Sequence, residues 1–433
     1  MTSDDTTART VQGHPHRWPY PAVAELGLAR TVLAGIDEAG VRWCLLRGGP
    51  DGLTAADDLD ILVAAADLPR AVAVIEAHGL IRLRSHGRGT HRFYLGLDAS
   101  TGTWVELDLV TEVAYGWHFQ VRTEAADECL ARRREQDGVW VLAPEDEFWA
   151  LLLHCVLDKG AFAARHVRRL ADLSHAASLD GPLVRAMPAA AARTLLQDWQ
   201  AGRLDALAAR RRALLAAWRR NHPIGVAGRL VASAALRLAE RPLQAWSRRG
   251  ISVALLGPDG SGKSTLATGI QSAFYFPVQR VYMGLWPSNE SPVSVAAHGL
   301  RILLRPFTVW RRYLTALRHR VLGRVVVFDR YVYDALLPPR GPLVWLKRPY
   351  FVLLSRLCPA PNLVLLLDVP GRVMYLRSGE YDPAHLEAER EQYHRLRRRI
   401  PHLEPLDADR PPDLVLADAI ARIWQYYARR ATR

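Results

Sequence analysis

The stretch ISVALLGPDGSGKST at positions 251–265 constrains what this chain can fold into more than any other. Positions 251–256 are a short apolar, partly β-branched run, the pattern of a strand buried on both faces of a parallel sheet. The run empties into Gly257-Pro258-Asp259-Gly260-Ser261-Gly262-Lys263-Ser264, a full match to G-x-x-x-x-G-K-[ST], and a helical pattern opens at Thr265. Strand, glycine-rich turn and helix in that order are the context the motif requires. Glycines let the backbone curl so that successive amides face phosphate oxygens, and the positive end of the helix dipole reinforces them. Lys263 is expected to reach the β- and γ-phosphates and the Ser264 hydroxyl to hold Mg²⁺. The segment from Gly257 through Asp259, Gly260, Ser261, Gly262, Lys263 and Ser264 to Thr265 therefore reads as a phosphate-binding loop for ATP.

A chain of 433 residues exceeds one comfortable core, so about two or three domains are expected. The net charge of +13 and pI near 9.9 suit anionic substrates. The only lysines are Lys159, Lys263 and Lys347, so the surplus is almost all arginine on a solvated surface. No recognition motif or interleaved basic-aromatic repeat points to nucleic acid. Cys44, Cys129, Cys155 and Cys358 are scattered with no metal spacing, which suits a reduced, cytoplasmic compartment. The opening MTSDDTTART is polar and acidic, unlike a signal peptide. No apolar run reaches the ~18 residues of a membrane span.

The first part of the chain carries a second constellation. After a lead-in at 1–18, a helix is expected at 22–39 and a strand at 41–46, which ends in Arg47-Gly48-Gly49. Next comes Asp57-Asp58-Leu59-Asp60-Ile61-Leu62-Val63, where period-two alternation sets Asp58 and Asp60 on one strand face. A helix at 68–78 and a strand at 91–97 follow, and Trp104-Val105-Glu106-Leu107-Asp108-Leu109-Val110 places Glu106 and Asp108 on a common face. Two carboxylates on one strand and a third on a later one can bind a pair of divalent ions for nucleotidyl transfer. Asp58, Asp60 and Asp108 are the candidate ligands. This pattern resembles the small nucleotidyltransferase superfamily, in particular poorly characterised bacterial members. The likeness runs on through Ala143-Pro144-Glu145-Asp146-Glu147-Phe148 and the following helix, covering about 41–177. The serine that active members place before the first aspartate is Asp57 here, so the resemblance is compatible with catalysis or with a binding or regulatory module. His154 and Lys159 are read as helix-packing and helix-terminal residues.

Positions 161–247 are rich in Ala, Leu and Arg, with apolar residues three and four apart, as in amphipathic helices. A helical connector is expected at 179–248, including a basic helix over 228–246 that packs against a domain.

Beyond the glycine-rich loop, strands are expected at 280–284, 323–331 and 362–370, and helices at 295–304, 307–322, 386–399 and 419–429. The apolar strand ending in Asp329 delivers a carboxylate for a Mg²⁺ shell. Arg330 beside it supplies a planar phosphate binder. In combination, GPDGSGKST, VVVFDRY, LLLDVP and Leu386, Glu387, Arg390 and Tyr393 in L-E-x-x-R-x-x-Y resemble the thymidylate kinase family over about 250–427. That resemblance implies that Lys263 and Ser264 hold ATP and Mg²⁺, Asp329 assists the metal and Arg330 grips the acceptor phosphate. Arg377, in a polar lid loop at 377–380, would neutralise the transferred phosphoryl, and Asp259 would face the acceptor. The chain departs from the family at Gly260 (often arginine), at Asp334 (usually serine) and in the missing R-E-P-G-G-T stretch. Phe307, Tyr313 and Trp286 are the candidates for base stacking.

The expected whole is an α/β protein. A nucleotidyltransferase-like domain at 19–178 and the connector precede a nucleoside-monophosphate-kinase-type P-loop domain at 249–433. Its expected activity is ATP- and Mg²⁺-dependent phosphoryl transfer to a dTMP-like monophosphate or related small acceptor, and a homodimer is compatible with that reading. The alternatives are nucleotidyl transfer by Asp58, Asp60 and Asp108, or a non-catalytic first domain.

Overall fold

The computed structural model describes residues 27–47, 59–83, 91–116, 119–246, 250–284, 295–338 and 344–431. The chain divides into two compact units, Ala24–Leu243 and Gln244–Arg429. Both are mixed α/β structures, the first with mostly antiparallel strand pairs and a parallel pair at its centre, the second with parallel pairs throughout.

In the first unit, helix α1 (Gly27–Glu38) precedes β1 (Trp43–Leu45) and β2 (Leu59–Val63). Helix α2 (Leu68–Ala77), β3 (Ile81–Arg82), β4 (Arg92–Asp98) and β5 (Thr103–Val110) follow. A small ribbon of β6 (Ala114–Tyr115) and β7 (Val121–Arg122) leads to α3 (Ala126–Ala131), β8 (Arg134–Gln136) and β9 (Val139–Val141). The main sheet has the order β3-β4-β5-β2-β1-β9-β8. Strands β2 and β5 run parallel at its centre, with Asp60 directly opposite Asp108.

Alternation along the central strands splits their side chains between two cores. Leu59, Ile61, Val63, Leu107 and Leu109 join α1 and α2 on one face. Leu62 and Val110 join the helices on the other. Asp60 and Asp108, in step with Leu62 and Val110, therefore belong to that second face.

The covering helices are α4 (Pro144–Leu153), α5 (Ala164–Leu173), α6 (Pro182–Arg185), α7 (Ala189–Gln200), α8 (Leu204–Ala209), α9 (Arg211–Asn221) and α10 (Pro223–Trp246). Helix α4 starts with Pro144 at its first position and Glu145, Asp146 and Glu147 in its first turn, which complement the dipole. It runs on into a π-helical turn, His154–Lys159. The segment expected as a connector is part of this core. Leu183, Val184, Ala192, Leu195, Leu207, Trp218 and Val226 are buried in one cluster with Cys44, Leu62 and Val110. The stripe through Leu207 and Trp218 is buried in that cluster, whereas on α10, expected to pack over 228–246, Val231 and Leu238 are exposed.

The second unit contains β10 (Ser252–Leu256), α11 (Lys263–Ala273), β11 (Val278–Tyr282), α12 (Val295–Val321) and β12 (Val325–Asp329). Helix α13 (Val344–Arg356), β13 (Leu363–Asp368), α14 (Gly371–Ser378), α15 (Pro383–Leu396), β14 (Leu403–Asp407) and α16 (Pro412–Ala431) complete it. All pairs of its five-stranded sheet, ordered β11-β12-β10-β13-β14, are parallel. Every residue of β10 and β12 is buried, which explains their unbroken apolar runs. The chain builds one side of the sheet and then the other around β10. That topology places a binding crevice at the carboxyl ends of β10 and its neighbours.

Two expectations change here. One helix, α12, replaces the two expected, running through Pro306. Proline removes one helical hydrogen bond, but burial of Val309, Tyr313 and Ala316 anchors the helix beyond it. The polar lid loop at 377–380 is in part helix: Arg377 lies in the last turn of α14, which ends at Gly379 with φ 67°. Among the described residues no helix is long and apolar enough to cross a membrane.

Candidate functional site

The glycine-rich loop in the second unit leaves the carboxyl end of β10 and closes on the first residue of α11. Its backbone needs glycine. Gly257, Gly260 and Gly262 have φ of 144°, 81° and 93°, values that side chains rarely tolerate. At Gly260 a Cβ would stand 2.6 Å from the Met374 carbonyl oxygen and 2.9 Å from Ser378 Oγ. Packing of α14 against the loop thus explains the missing arginine at this position.

Lys263 is buried, and its Nζ donates to the carbonyls of Gly257 (2.8 Å) and Pro258 (2.6 Å). Burial, reinforced by the nearby Arg330, lowers its pKa. The Ser264 hydroxyl donates to Asp329 Oδ2 at 2.9 Å. The oxygens expected to share a Mg²⁺ ion are therefore adjacent, as β10 and β12 pair with Leu255 opposite Asp329. Ser261 Oγ is buried with no hydrogen-bond partner, a donor that suits a phosphate oxygen. The donor set fits a Mg²⁺-bound triphosphate.

Sequence reasoning missed one cation here. Arg280 on β11 donates to Asp329 Oδ2 at 3.2 Å and to Thr268 Oγ1 at 2.7 Å. Its only sequence signal was its place in a strand adjoining the one that ends in Asp329.

Arg330 follows Asp329 with φ 66°, a left-handed conformation uncommon outside glycine and typical of functional sites. Its guanidinium pairs with Asp259 and lies 4.0 Å from Asp334 Oδ2. Burial opposes its charge, but the Asp334 and Asp259 carboxylates outweigh burial and hold its pKa above the ordinary value. Asp334 accepts a hydrogen bond from Tyr393 Oη at 2.9 Å. Burial pushes its carboxyl up to about 6 against the opposing effects of Arg330, Lys263 and Tyr393. Gly284 lets this group close up, since a Cβ there would lie 2.3 Å from Tyr282 Oη and 2.9 Å from Arg330 Cδ.

Other expected residues lie elsewhere. Both terminal nitrogens of Arg377 donate to the Ala408 carbonyl at 3.3 Å. Glu387 and Arg390 join Asp368 and His394 in a separate open cleft of about 490 Å³. Tyr313 is buried in the core, Phe307 is 75% exposed on α12, and Trp286 lies outside the described residues.

The first unit gathers a second cluster. Arg47 Nε donates to Asp60 Oδ2 at 3.0 Å, and Nη2 reaches the same oxygen. Burial opposes the charge on Arg47, but Asp60 and then Asp158 hold its pKa above the ordinary value. His91 Nδ1 lies 2.6 Å from Asp108 Oδ2, and its ring stacks on Phe119 at 4.1 Å. Burial raises the Asp108 pKa, the His91 contact opposes that rise, and the like charge of Asp60 adds to it. The π-helical turn contributes Asp158, which accepts from the Gly116 amide at 2.6 Å and meets His154 Nδ1 at 2.8 Å. His154, expected to be packing, thus belongs to this cluster, and burial with the nearby Arg47 lowers its pKa.

Asp58, Gly48 and Gly49 lie outside the described residues. Among those described, no group of three or more His, Cys, Asp or Glu side chains is placed to hold a metal ion. Asp108 Oδ1 is buried without a partner and suits a cation, whereas Asp60 is engaged by Arg47.

Comparison with known proteins follows this division. Residues 52–183 match the family described as an uncharacterised nucleotidyltransferase. The first unit carries a nucleotidyltransferase-like domain. No curated protein matches the chain. Among 127 matching chains of solved structures is a thymidylate kinase from Candida albicans. It is 17% identical, with a TM-score of 0.32, over 41% of this chain and 93% of that one. A likeness at that level carries no conclusion about fold or activity.

Proposed function

We propose that the second unit transfers the γ-phosphoryl group of ATP to a small phosphorylated or hydroxylated acceptor, as a P-loop kinase does. The observation that carries this reading is the Ser264–Asp329 hydrogen bond of 2.9 Å, beside buried Lys263 at the mouth of the glycine-rich turn. In a loose phosphoryl-transfer transition state, positioning and charge stabilisation supply the catalysis. The loop amides and Lys263 hold the triphosphate, with Lys263 exchanging its two carbonyl partners for phosphate oxygens. Ser264 and Asp329 would hold Mg²⁺, which when bound neutralises charge on the β- and γ-oxygens. Arg280 keeps the Asp329 carboxylate oriented. Arg330 lies on the acceptor side, and Arg377 serves transfer only if α14 shifts from Ala408.

The test uses ATP labelled separately at the α and γ positions. Movement of γ-label in the native chain and its loss in Lys263→Ala support the kinase, and a full rate in Lys263→Ala sinks it. Ser264→Ala is expected to weaken nucleotide binding in Mg²⁺ but not in EDTA.

A second reading has its own support. The family match over 52–183 and the opposed carboxylates of Asp60 and Asp108 favour nucleotidyl transfer in the first unit. Movement of α-label, abolished by Asp108→Asn, is the outcome that supports it. The release of Asp60 from Arg47 would be a prerequisite for metal binding there.

A further inference from the structure

Deepening the kinase reading, on which it rests, we infer that the acceptor offers a hydroxyl group rather than a phosphate, and that Asp334 takes the hydroxyl proton. The argument begins with charge. Arg330 is the cation expected to grip an acceptor phosphate, yet it is paired with Asp259 and stands 4.0 Å from Asp334. With Lys263, whose Nζ is 3.7 Å from Asp259 Oδ1, committed to the triphosphate, one guanidinium is left to face two carboxylates. Arg312, the next cation on this side, is turned to neutral partners. Its Nη1 donates to the Gly284 carbonyl at 3.1 Å, and its guanidinium carbon lies 5.3 Å from the Tyr282 ring centroid. A dianionic acceptor brought beside a bound triphosphate would have to draw Arg330 away from Asp259 or Arg312 away from the Gly284 carbonyl. It would also meet two anions, the part-exposed Asp259 and the mostly buried Asp334, whose like charge repels it.

The same geometry suits an alcohol. Asp334 is held by Tyr393 through one oxygen, at 2.9 Å to Oδ1. Its other oxygen, Oδ2, lies 4.0 Å from Arg330 Nη1, beyond hydrogen-bonding reach. A carboxylate pinned on one oxygen and open on the other is an arrangement for general base catalysis. In the reaction, the acceptor oxygen forms a bond to the γ-phosphorus as the bond from that phosphorus to the β-bridging oxygen breaks. The hydroxyl proton passes to Asp334, and ADP leaves.

The charged and titratable groups facing Asp334 are Arg330 after β12, Lys263 on α11, Asp259 in the loop and Tyr393 on α15. Together with burial they set its carboxyl at about 6, near the working pH of a base.

The test supplies γ-labelled ATP and Mg²⁺ to the full chain with thymidine or dTMP as matched acceptors, water serving as the smallest hydroxyl acceptor. Transfer to thymidine or water is expected, with none to the phosphate of dTMP. Asp334→Asn is expected to lower that transfer about 100-fold, with the KM for ATP unchanged. The native rate should rise with pH through about 6, and Asp334→Asn should lose this rise. In Tyr393→Phe the rise should move to higher pH, because a hydrogen bond to the ionised carboxylate is lost. Label on the dTMP phosphate, or transfer that Asp334→Asn leaves unchanged, overturns the inference. Absence of both ATP binding and ATP turnover in the native chain removes the kinase reading itself.

Discussion

Replacing Asp334 by asparagine should stabilise the second unit at neutral pH while it impairs transfer, and the two effects have the same cause. The side chain is 11% exposed, and burial raises its carboxyl from 3.8 to about 6. A carboxyl whose pKa is raised by folding binds its proton more tightly in the folded state. The stability it contributes is therefore complete below about pH 4 and is lost as pH rises through about 6. A shift of about two units corresponds to about 3 kcal/mol. The variant also loses the attraction to Arg330, which grows in as the carboxyl ionises, but that attraction is already one of the effects that set the carboxyl at about 6, so the change with pH stands. The measurement is thus the difference in unfolding free energy between native chain and variant, from pH 4 to pH 8, by urea titration with hydrogen exchange of β12 as the readout. The difference should move about 3 kcal/mol in the variant's favour, or roughly 6–12 °C in thermal midpoint for a unit of this size. Parallel pH profiles for the two proteins would refute the reasoning, because they would mean that Asp334 ionises freely in the folded state.

Two other substitutions test the loop and the first-unit cluster. Gly260→Ala combines a φ of 81° with a Cβ 2.6 Å from the Met374 carbonyl. It should cost about 1–3 kcal/mol and weaken nucleotide binding, checked by thermal melting and titration with a non-hydrolysable ATP analogue. Arg47→Met leaves Asp60 without its cation beside Asp108 and Asp158. It should cost about 3–5 kcal/mol at pH 7, checked by denaturant unfolding of the first unit. A loss that Asp60→Asn in the same chain largely restores identifies the unpaired charge rather than packing as the cause.

What could be read from the sequence followed the range of the forces involved. Strands β10, β12 and β13 were legible because burial on both faces confines polar residues to their ends, Ser252, Asp329 and Asp368. The common face of Glu106 and Asp108 was legible because the strand period is local, whereas the placing of Asp60 opposite Asp108 comes from the pairing of β2 with β5. The partners of those carboxylates were not, since Arg47, His91 and Asp158 reach them only through strand pairing and the helical cover. Arg280 was hidden for the same reason, as nothing near position 280 refers to Asp329. Helical spacing around Phe307 and Tyr313 predicted a helix but not its orientation, and it is orientation that buries Tyr313 and exposes Phe307. The lid placed Arg377 in a loop because polar residues follow it, whereas the hydrophobic Val373 and Met374 and a left-handed Gly379 extend and then end a helix there.

The extent of the first unit gives the remaining prediction. The family match ends at residue 183, yet the core that covers the Asp60 and Asp108 face continues beyond it. Val184, Ala192, Leu195, Leu207, Trp218 and Val226 are each at most 7% exposed in that core. At about 1.5–3 kcal/mol for each large apolar side chain, their removal forfeits on the order of 10 kcal/mol. It also uncovers the groups beneath them. That loss is comparable to the whole stability of an ordinary domain, about 5–15 kcal/mol. A fragment ending at residue 183 should therefore bind a hydrophobic dye and unfold without a cooperative transition, whereas one ending at 243 should melt as a unit. Sharp, dye-free melting of the shorter fragment would show that the helices after residue 183 only decorate a finished domain. Failure of both would place part of the core's support outside residues 24–243.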